Sequence, residues 1–158
     1  MEETLQIDSL DRKIISMITR DARIPYLEVA RACGVSGAAI HQRIRKLTEI
    51  GVVTGSKFTV DSKKVGFNTC AFIGIFLENA GQYREVLSEL EKIPEITQCH
   101  YTTGNYSVFI KIYTRDNQHL KSILTEKLQV IPGIARTETF ISLEEGFNRI
   151  LPIPVDVH

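Results

Sequence analysis

Val35-Ser36-Gly37-Ala38-Ala39-Ile40-His41-Gln42-Arg43-Ile44-Arg45-Lys46-Leu47 decides how the first third of this chain is read. Spacings of four and three put Ile40, Ile44 and Leu47 on one helical stripe, a face to bury. About half a turn away lie Ala38, His41, Gln42, Arg45 and Lys46, small near the helix start and polar or basic further along. A helix with that second face suits the major groove of DNA: a slim entry, hydrogen-bonding tips for base edges, and cations for phosphates. The plainer reading of the same residues is a solvated helix face.

The flanking residues give this helix its setting. Asp8 precedes Leu10, Ile14, Met17 and Ile18, which recur at helical spacing, and Asp11 follows three residues later as a capping box requires. Asp21-Ala22-Arg23 breaks the pattern. Pro25 fits the first turn of a second helix that buries Leu27 and Ala30 with Val29 and Cys33. Gly34 suits a left-handed C-terminal position, and Ser36 caps the quoted helix. Three helices with a tight glycine turn between the last two make a helix-turn-helix, in which small Ala30 lets the helices cross closely. From Ile50 to Asp61 the period changes, and Val, Thr and Phe between glycines read as short extended segments. Asp61 to Asn68 has the composition of a linker.

The second half alternates between the two periods. Thr69 to Glu78 is an apolar strand, and Tyr83, Val86, Leu87 and Leu90 follow at helical spacing. Ile96 to Thr103 is a second strand. Tyr106 to Thr114 is a third, with Tyr106, Val108, Ile110 and Ile112 on one face. Leu120, Ile123, Leu124 and Leu128 mark a second helix, and Ile134 to Leu143 a fourth strand. Leu90-Glu91-Lys92-Ile93-Pro94-Glu95-Ile96 matches Leu128-Gln129-Val130-Ile131-Pro132-Gly133-Ile134 at four of seven positions, 38 residues on. In both copies a helix stops at a proline and a strand begins. Two such halves make a ferredoxin-like antiparallel sheet with both helices on one face. The other face keeps either Phe72 and Phe76 or Ile73 and Ile75, so it needs a partner, and a homodimer or larger assembly is expected. The hydrophobic tail, Ile150 to Val155, is expected to pack on the body or on a neighbouring subunit.

The fold class is therefore α+β. Residues 1–60 are expected to form a three-helix helix-turn-helix DNA-binding domain and 61–68 a linker. Residues 69–158 are expected to form a ferredoxin-like βαββαβ sandwich domain that assembles subunits, to which the family resemblance given below adds the sensing of an effector. Charge supports the division. The 158 residues carry 19 basic and 19 acidic side chains, but residues 1–64 hold 11 against 8, and Arg20 to Lys64 hold 9 against 4. A basic segment beside an acidic remainder suits a polyanion partner at the first half only. Cys33, Cys70 and Cys99 lack any CxxC spacing and read as buried thiols in a reducing compartment. The strongly apolar run from Cys70 to Leu77 is far too short to span a bilayer, and no basic-plus-apolar leader is visible. A cytoplasmic protein with no membrane contact, cofactor or metal is expected.

The order of motifs resembles one family, the leucine- and asparagine-responsive regulators of the Lrp/AsnC type. Ile7-Asp8, Asp11-Arg12-Lys13-Ile14-Ile15, Asp21-Ala22-Arg23, Glu28-Val29-Ala30 and Gly34-Val35-Ser36 follow in the family's order and spacing. So do His41-Gln42-Arg43-Ile44 and Leu47-Thr48-Glu49-Ile50-Gly51-Val52-Val53. Thr103-Gly104-Asn105-Tyr106-Ser107 sits where the family has its effector loop, and Ile131-Pro132-Gly133-Ile134 precedes the last strand. The resemblance implies a helix-turn-helix joined by a short β linker to an αβ-sandwich that pairs subunits through its strands. It also implies octamers built from dimers, and an amino acid or related metabolite bound between dimers near the loop.

On this reading Ala38, His41, Gln42 and Arg45 face bases, while Ser36 and Lys46 lie near phosphates. Arg43, near the buried edge, braces the domain. The expected operator is a pseudo-palindrome of double-stranded DNA with half-sites about one turn apart. Gly104, Asn105, Tyr106 and Ser107, with Thr137 and Thr139, are the effector candidates. For Tyr106 a core or interface aromatic is the preferred reading. The family generally has an acid where this chain has Ser107, and a hydroxyl can hydrogen-bond an ammonium without neutralising it. The alternatives are a ligand-independent architectural DNA-binding protein or a tetrapyrrole decarboxylase resembling the family. Against the latter, His41, His100, His119 and His158 fall in no metal-ligand or nucleophile spacing, and no paired Asp/Glu set stands out.

Overall fold

A computed structural model describes residues 7–155, which form two compact units: 60–146, and the segment up to 59 together with the tail from 147.

The helical unit contains α1 (Ser9–Arg20), α2 (Tyr26–Cys33) and α3 (Gly37–Glu49). Asp8 and Asp11 close the capping box: the Asp11 N–H donates to Asp8 at 2.7 Å, and the Asp8 N–H to Asp11 at 3.1 Å. Gly34 is left-handed at φ 68°, so the chain can leave α2 and enter α3 three residues later without a Cβ clash. Ile14, Val29, Ala30, Ile40 and Ile44 form the core. Two expectations need correction. Pro25 stands one position before the first turn of α2, in extended conformation, and its carbonyl accepts from Glu28 and Val29. Leu27 is 58 % exposed. The inward stripe of α2 is Tyr26, Val29, Ala30 and Cys33, at spacings of three, four and seven, which leaves Leu27 on the flank.

After α3, Gly51 at φ 78° turns the chain back, and the N–H groups of Val52 and Val53 both donate to the Leu47 carbonyl. The extended segments expected from Ile50 to Asp61, and the β linker the resemblance implies, form no strand. A strand needs a neighbour's backbone to satisfy its edge, and no described residue of this chain supplies one. The tail runs without helix or strand, with Val155 beside Ile7, Ser9 and Arg12, and it belongs to the helical unit rather than to the expected sheet domain of residues 69–158.

The sheet unit contains β1 (Thr69–Leu77), α4 (Tyr83–Leu90), β2 (Ile96–Tyr101), β3 (Val108–Thr114), α5 (Asn117–Ser122) and β4 (Ile134–Ile141). A short 3-10 turn at Ala80–Gln82 leads into α4, and α5 widens into a π-helix over Ile123–Leu128. The order β2-β3-β1-β4, antiparallel throughout, is the ferredoxin-like arrangement the internal repeat predicts. The two repeat copies make the same turn. The N–H groups of Ile93 and Ile131 donate to Leu90 and Leu128, and those of Ile96 and Ile134 donate to Ile93 and Ile131.

Val86 and Leu90 of α4, with Leu120, Ile123 and Leu128 of the second helical segment, cover one sheet face. They meet Ala71, Ile73 and Ile75 of β1 and Val108, Ile110 and Ile112 of β3. At about 1.5–3 kcal/mol per fully buried large aliphatic side chain, this cluster is the unit's main source of stability. The uncovered face therefore carries Phe72 and Phe76, with Phe109, Phe140 and Tyr106 around them. Tyr106 departs from the expected alternation. It precedes β3, and its ring lies on the face opposite Val108.

Candidate nucleic-acid interface and effector loop

Ser36 begins the candidate interface. Its hydroxyl accepts the Ala39 N–H at 3.2 Å, capping α3 and fixing where the helix emerges. Ala38, His41, Gln42, Arg45 and Lys46 are all exposed. Among the described residues, the side chains of Gln42, Arg45 and Lys46 have no hydrogen-bond or ion-pair partner, so their donors are free for a ligand. His41 is oriented by an edge contact with Tyr26 of α2, ring centroids 4.6 Å apart.

Arg43 has the different role that its position near the buried stripe suggests. Its Nη1 donates to Asp8 at 2.6 Å and to Asp11 at 2.9 Å, so one guanidinium ties α3 to the capped start of α1. The hydrogen bond from Arg43, then that from the Asp11 backbone, holds the Asp8 carboxyl below its usual range. The Lys13 ammonium donates to the Ala32 carbonyl at 2.5 Å, placing a cation at the negative end of α2. The capping carboxylates were visible in the sequence as helix signals; that Arg43 pairs with both was not.

The loop before β3 is built around Gly104, which takes φ 99°. The Ser107 N–H donates to the Ile75 carbonyl at 3.0 Å, opening the β3–β1 ladder. The Thr102 hydroxyl donates to the Tyr106 carbonyl at 2.8 Å. The Tyr106 ring then crosses the uncovered sheet face at Gly74. A Cβ there would lie 2.4 Å from ring Cδ1, so no side chain but hydrogen fits while the ring stays. Tyr106 packs edge-on to Phe76 at 5.1 Å, and its hydroxyl donates to Glu138 at 2.7 Å. That bond, above all, pushes the Tyr106 phenol up from its usual value. Arg136 stacks over Phe76 at 3.9 Å, with a nitrogen 3.7 Å from Glu138. Gly74, Arg136 and Glu138 were not singled out from the sequence. The one available signal was a glycine inside a β-branched strand, which marks a close approach.

The six effector candidates are not gathered into one pocket within a single chain. Gly104 to Ser107 lie at the end of β3, with Tyr106 on the uncovered face. Thr137 and Thr139 pair with Ile75 and Ile73 across β1, so they point to the helix-covered side, on edge strand β4. A groove of about 640 Å³ opens at the opposite end of the sheet, lined by Val65, Phe67, Pro94, Thr97 and Tyr113 among others, and contains none of the candidates. His100 stands opposite Phe109, and the His119 imidazole meets Glu95 at 3.4 Å. His158 lies outside the described residues. Among those described, no group of His, Cys, Asp and Glu has the geometry to hold a metal, and no helix is long and apolar enough to cross a membrane.

Residues 7–48 match the AsnC-type helix-turn-helix domain, and residues 70–149 match the Lrp/AsnC ligand binding domain. The regulatory protein AsnC of Haemophilus influenzae is 45 % identical over 143 residues, which cover 90 % of this chain and 95 % of that one. The structure of Escherichia coli AsnC superposes with a TM-score of 0.87 at 40 % identity, over 92 % of this chain and 98 % of the other. A feast or famine regulatory protein of Mycobacterium tuberculosis, solved in complex with L-methionine, gives a TM-score of 0.88. It is 26 % identical, and the match covers 94 % of this chain and all of that chain, 100 %.

Proposed function

The chain belongs to the Lrp/AsnC family of DNA-binding transcription regulators, and from that premise we propose that it reads a pseudo-palindromic operator as a homodimer whose sheet domains assemble further into an octamer. The observation that carries this reading is the unpaired donor face of α3. Ala38 gives close entry, His41, Gln42 and Arg45 reach base edges, and Ser36 and Lys46 lie toward phosphates. A single short helix discriminates little, and two copies about one DNA turn apart supply the rest. The aromatic sheet face around Phe72, Phe76, Phe109 and Phe140 supports the dimer, because a second copy removes it from water.

The effector is an amino acid or related metabolite held between subunits at the Gly104–Ser107 loop, with Thr137 and Thr139 contributed across copies. The L-methionine complex of the Mycobacterium tuberculosis relative supports that ligand class. Ser107 favours a second reading, a ligand-independent architectural protein, since a hydroxyl supplies no negative charge for an ammonium. In both readings the protein works in the cytoplasm, without metal or cofactor, and catalyses nothing.

The test begins with duplexes recovered by the purified full chain from fragmented genomic DNA. Binding should weaken steeply with salt, and Arg45→Ala should lose about 1–3 kcal/mol on the best duplex while relaxing preference at one base position. Affinity that is independent of salt, or unchanged by the substitution at fixed salt, would overturn the assignment.

A further inference from the structure

The packing of α2 against α3 brings one residue of α2 to the face that α3 offers to DNA. Tyr26 opens α2, and its half-buried ring packs on the core of Ile14, Val29, Ala30, Ile40 and Ile44. From that anchored position it meets His41 of α3, with the ring centroids 4.6 Å apart and the ring planes at 71°. His41 is exposed, and among the described residues its side chain has no hydrogen-bond or ion-pair partner. Nothing polar in the helical unit therefore selects its orientation. An exposed side chain left to itself exchanges among staggered rotamers within nanoseconds. An edge-to-face aromatic contact favours one of them by about two- to tenfold.

We propose that Tyr26 is a positioning residue for base recognition: its ring holds His41 in the orientation that reads one base, so preference at that base depends on a side chain outside the recognition helix. This rests on the DNA-binding reading above and adds a residue of α2 to its specificity. The mechanism is preorganisation. A side chain that is immobilised only on binding gives up rotamer freedom at the matched base, which weakens the matched complex. At a mismatched base the contact does not form, and the same side chain gives up nothing. Without the ring, discrimination therefore falls by the factor with which the ring had favoured the bound orientation, about two- to tenfold.

The experiment uses the full chain on a recovered operator and its single-base variants. The proteins are wild type, Tyr26→Leu, Tyr26→Phe, His41→Ala and the double variant Tyr26→Leu with His41→Ala. The His41→Ala profile identifies the base position that His41 reads. Tyr26→Leu keeps an apolar group on the core and should lose about two- to tenfold of preference at that same position and none elsewhere. In the double variant Tyr26→Leu should add nothing, because the side chain that Tyr26 aims is gone. Tyr26→Phe keeps the ring and should keep the wild-type profile. A uniform loss at every position, or full additivity in the double variant, is the mark of helix packing alone and overturns the inference. A His41→Ala profile equal to wild type overturns it too, and either result leaves the DNA-binding reading standing on Gln42 and Arg45. If Tyr26→Leu loses the fold, the imidazole proton resonances of wild type decide. Those of His41, identified by their disappearance in His41→Ala, should be displaced from the positions of a free histidine by the Tyr26 ring; undisplaced resonances overturn the inference. Absence of salt-dependent duplex binding by wild type overturns both readings.

Discussion

Gly74→Ala is the sharpest test of how the loop before β3 is seated on the sheet. A methyl carbon at this position would fall 2.4 Å from Tyr106 Cδ1 and 2.6 Å from Cε1 and Cγ. Carbon atoms settle about 3.5–4.0 Å apart, so the ring must withdraw by about 1 Å or more. The 2.7 Å bond from its hydroxyl to Glu138 and the edge contact with Phe76 then cannot both survive. Overpacking of this kind costs about 1–3 kcal/mol. For a chain of this size each kcal/mol lowers the melting temperature by about 2–4 °C. The decisive assay is a double-mutant cycle with Tyr106→Ala, followed by thermal melting in near-ultraviolet circular dichroism; the chain has no tryptophan, so tyrosines dominate that signal. With the ring gone, Gly74→Ala should be neutral or slightly stabilising, because alanine costs less backbone entropy than glycine in a strand. An equal loss in both backgrounds, or no loss in wild type, would refute the argument that Tyr106 requires a glycine beneath it.

Two other outcomes follow from named contacts. Because Arg43 holds the Asp8 carboxyl below its ordinary value, the ionised pair stabilises the fold. That contribution is fully present above the unfolded value near 3.8 and is lost as pH falls through the lower folded value. Urea denaturation should therefore find Arg43→Gln less stable than wild type at neutral pH, with the gap narrowing as pH falls below about 3.8; a gap independent of pH would contradict the pairing. A thermal-shift series of amino acids and keto acids should raise the melting temperature for at least one compound, since a ligand at a hundred times its Kd adds about 2.7 kcal/mol. No shift at millimolar concentration would remove effector control through the loop.

Local physics was legible in the sequence wherever a single element sufficed. Asp8 with Asp11, Gly34 and Ser36 act as caps, and α3 buries Ile40, Ile44 and Leu47, as spacing alone indicates. The Ile-Pro repeat announced the two halves of the sheet unit. Misreadings arose where two stripes were compatible with the letters or where a neighbour decided. Leu27 reads as inward because an apolar residue three before Ala30 suits a stripe as well as Tyr26 does. Tyr106 reads onto the Val108 face only if alternation is carried one residue past the strand's first backbone bond, at Ser107.

Periodicity, capping and turn chemistry are written along the chain, so the sequence by itself determined the three helices, the βαββαβ order and the free polar face of α3. Which sheet face the helices cover, and therefore that Phe72 and Phe76 remain uncovered, was decided only by tertiary packing; both β1 faces are apolar, and the alternation is symmetric between them. The same holds for the pairs Arg43 with Asp8 and Asp11, Tyr106 with Gly74 and Glu138, and Phe58 with Arg23. Each joins residues from 32 to 35 positions apart. No periodic pattern encodes a contact of that separation, and it exists only once the chain has folded and brought both partners to one place.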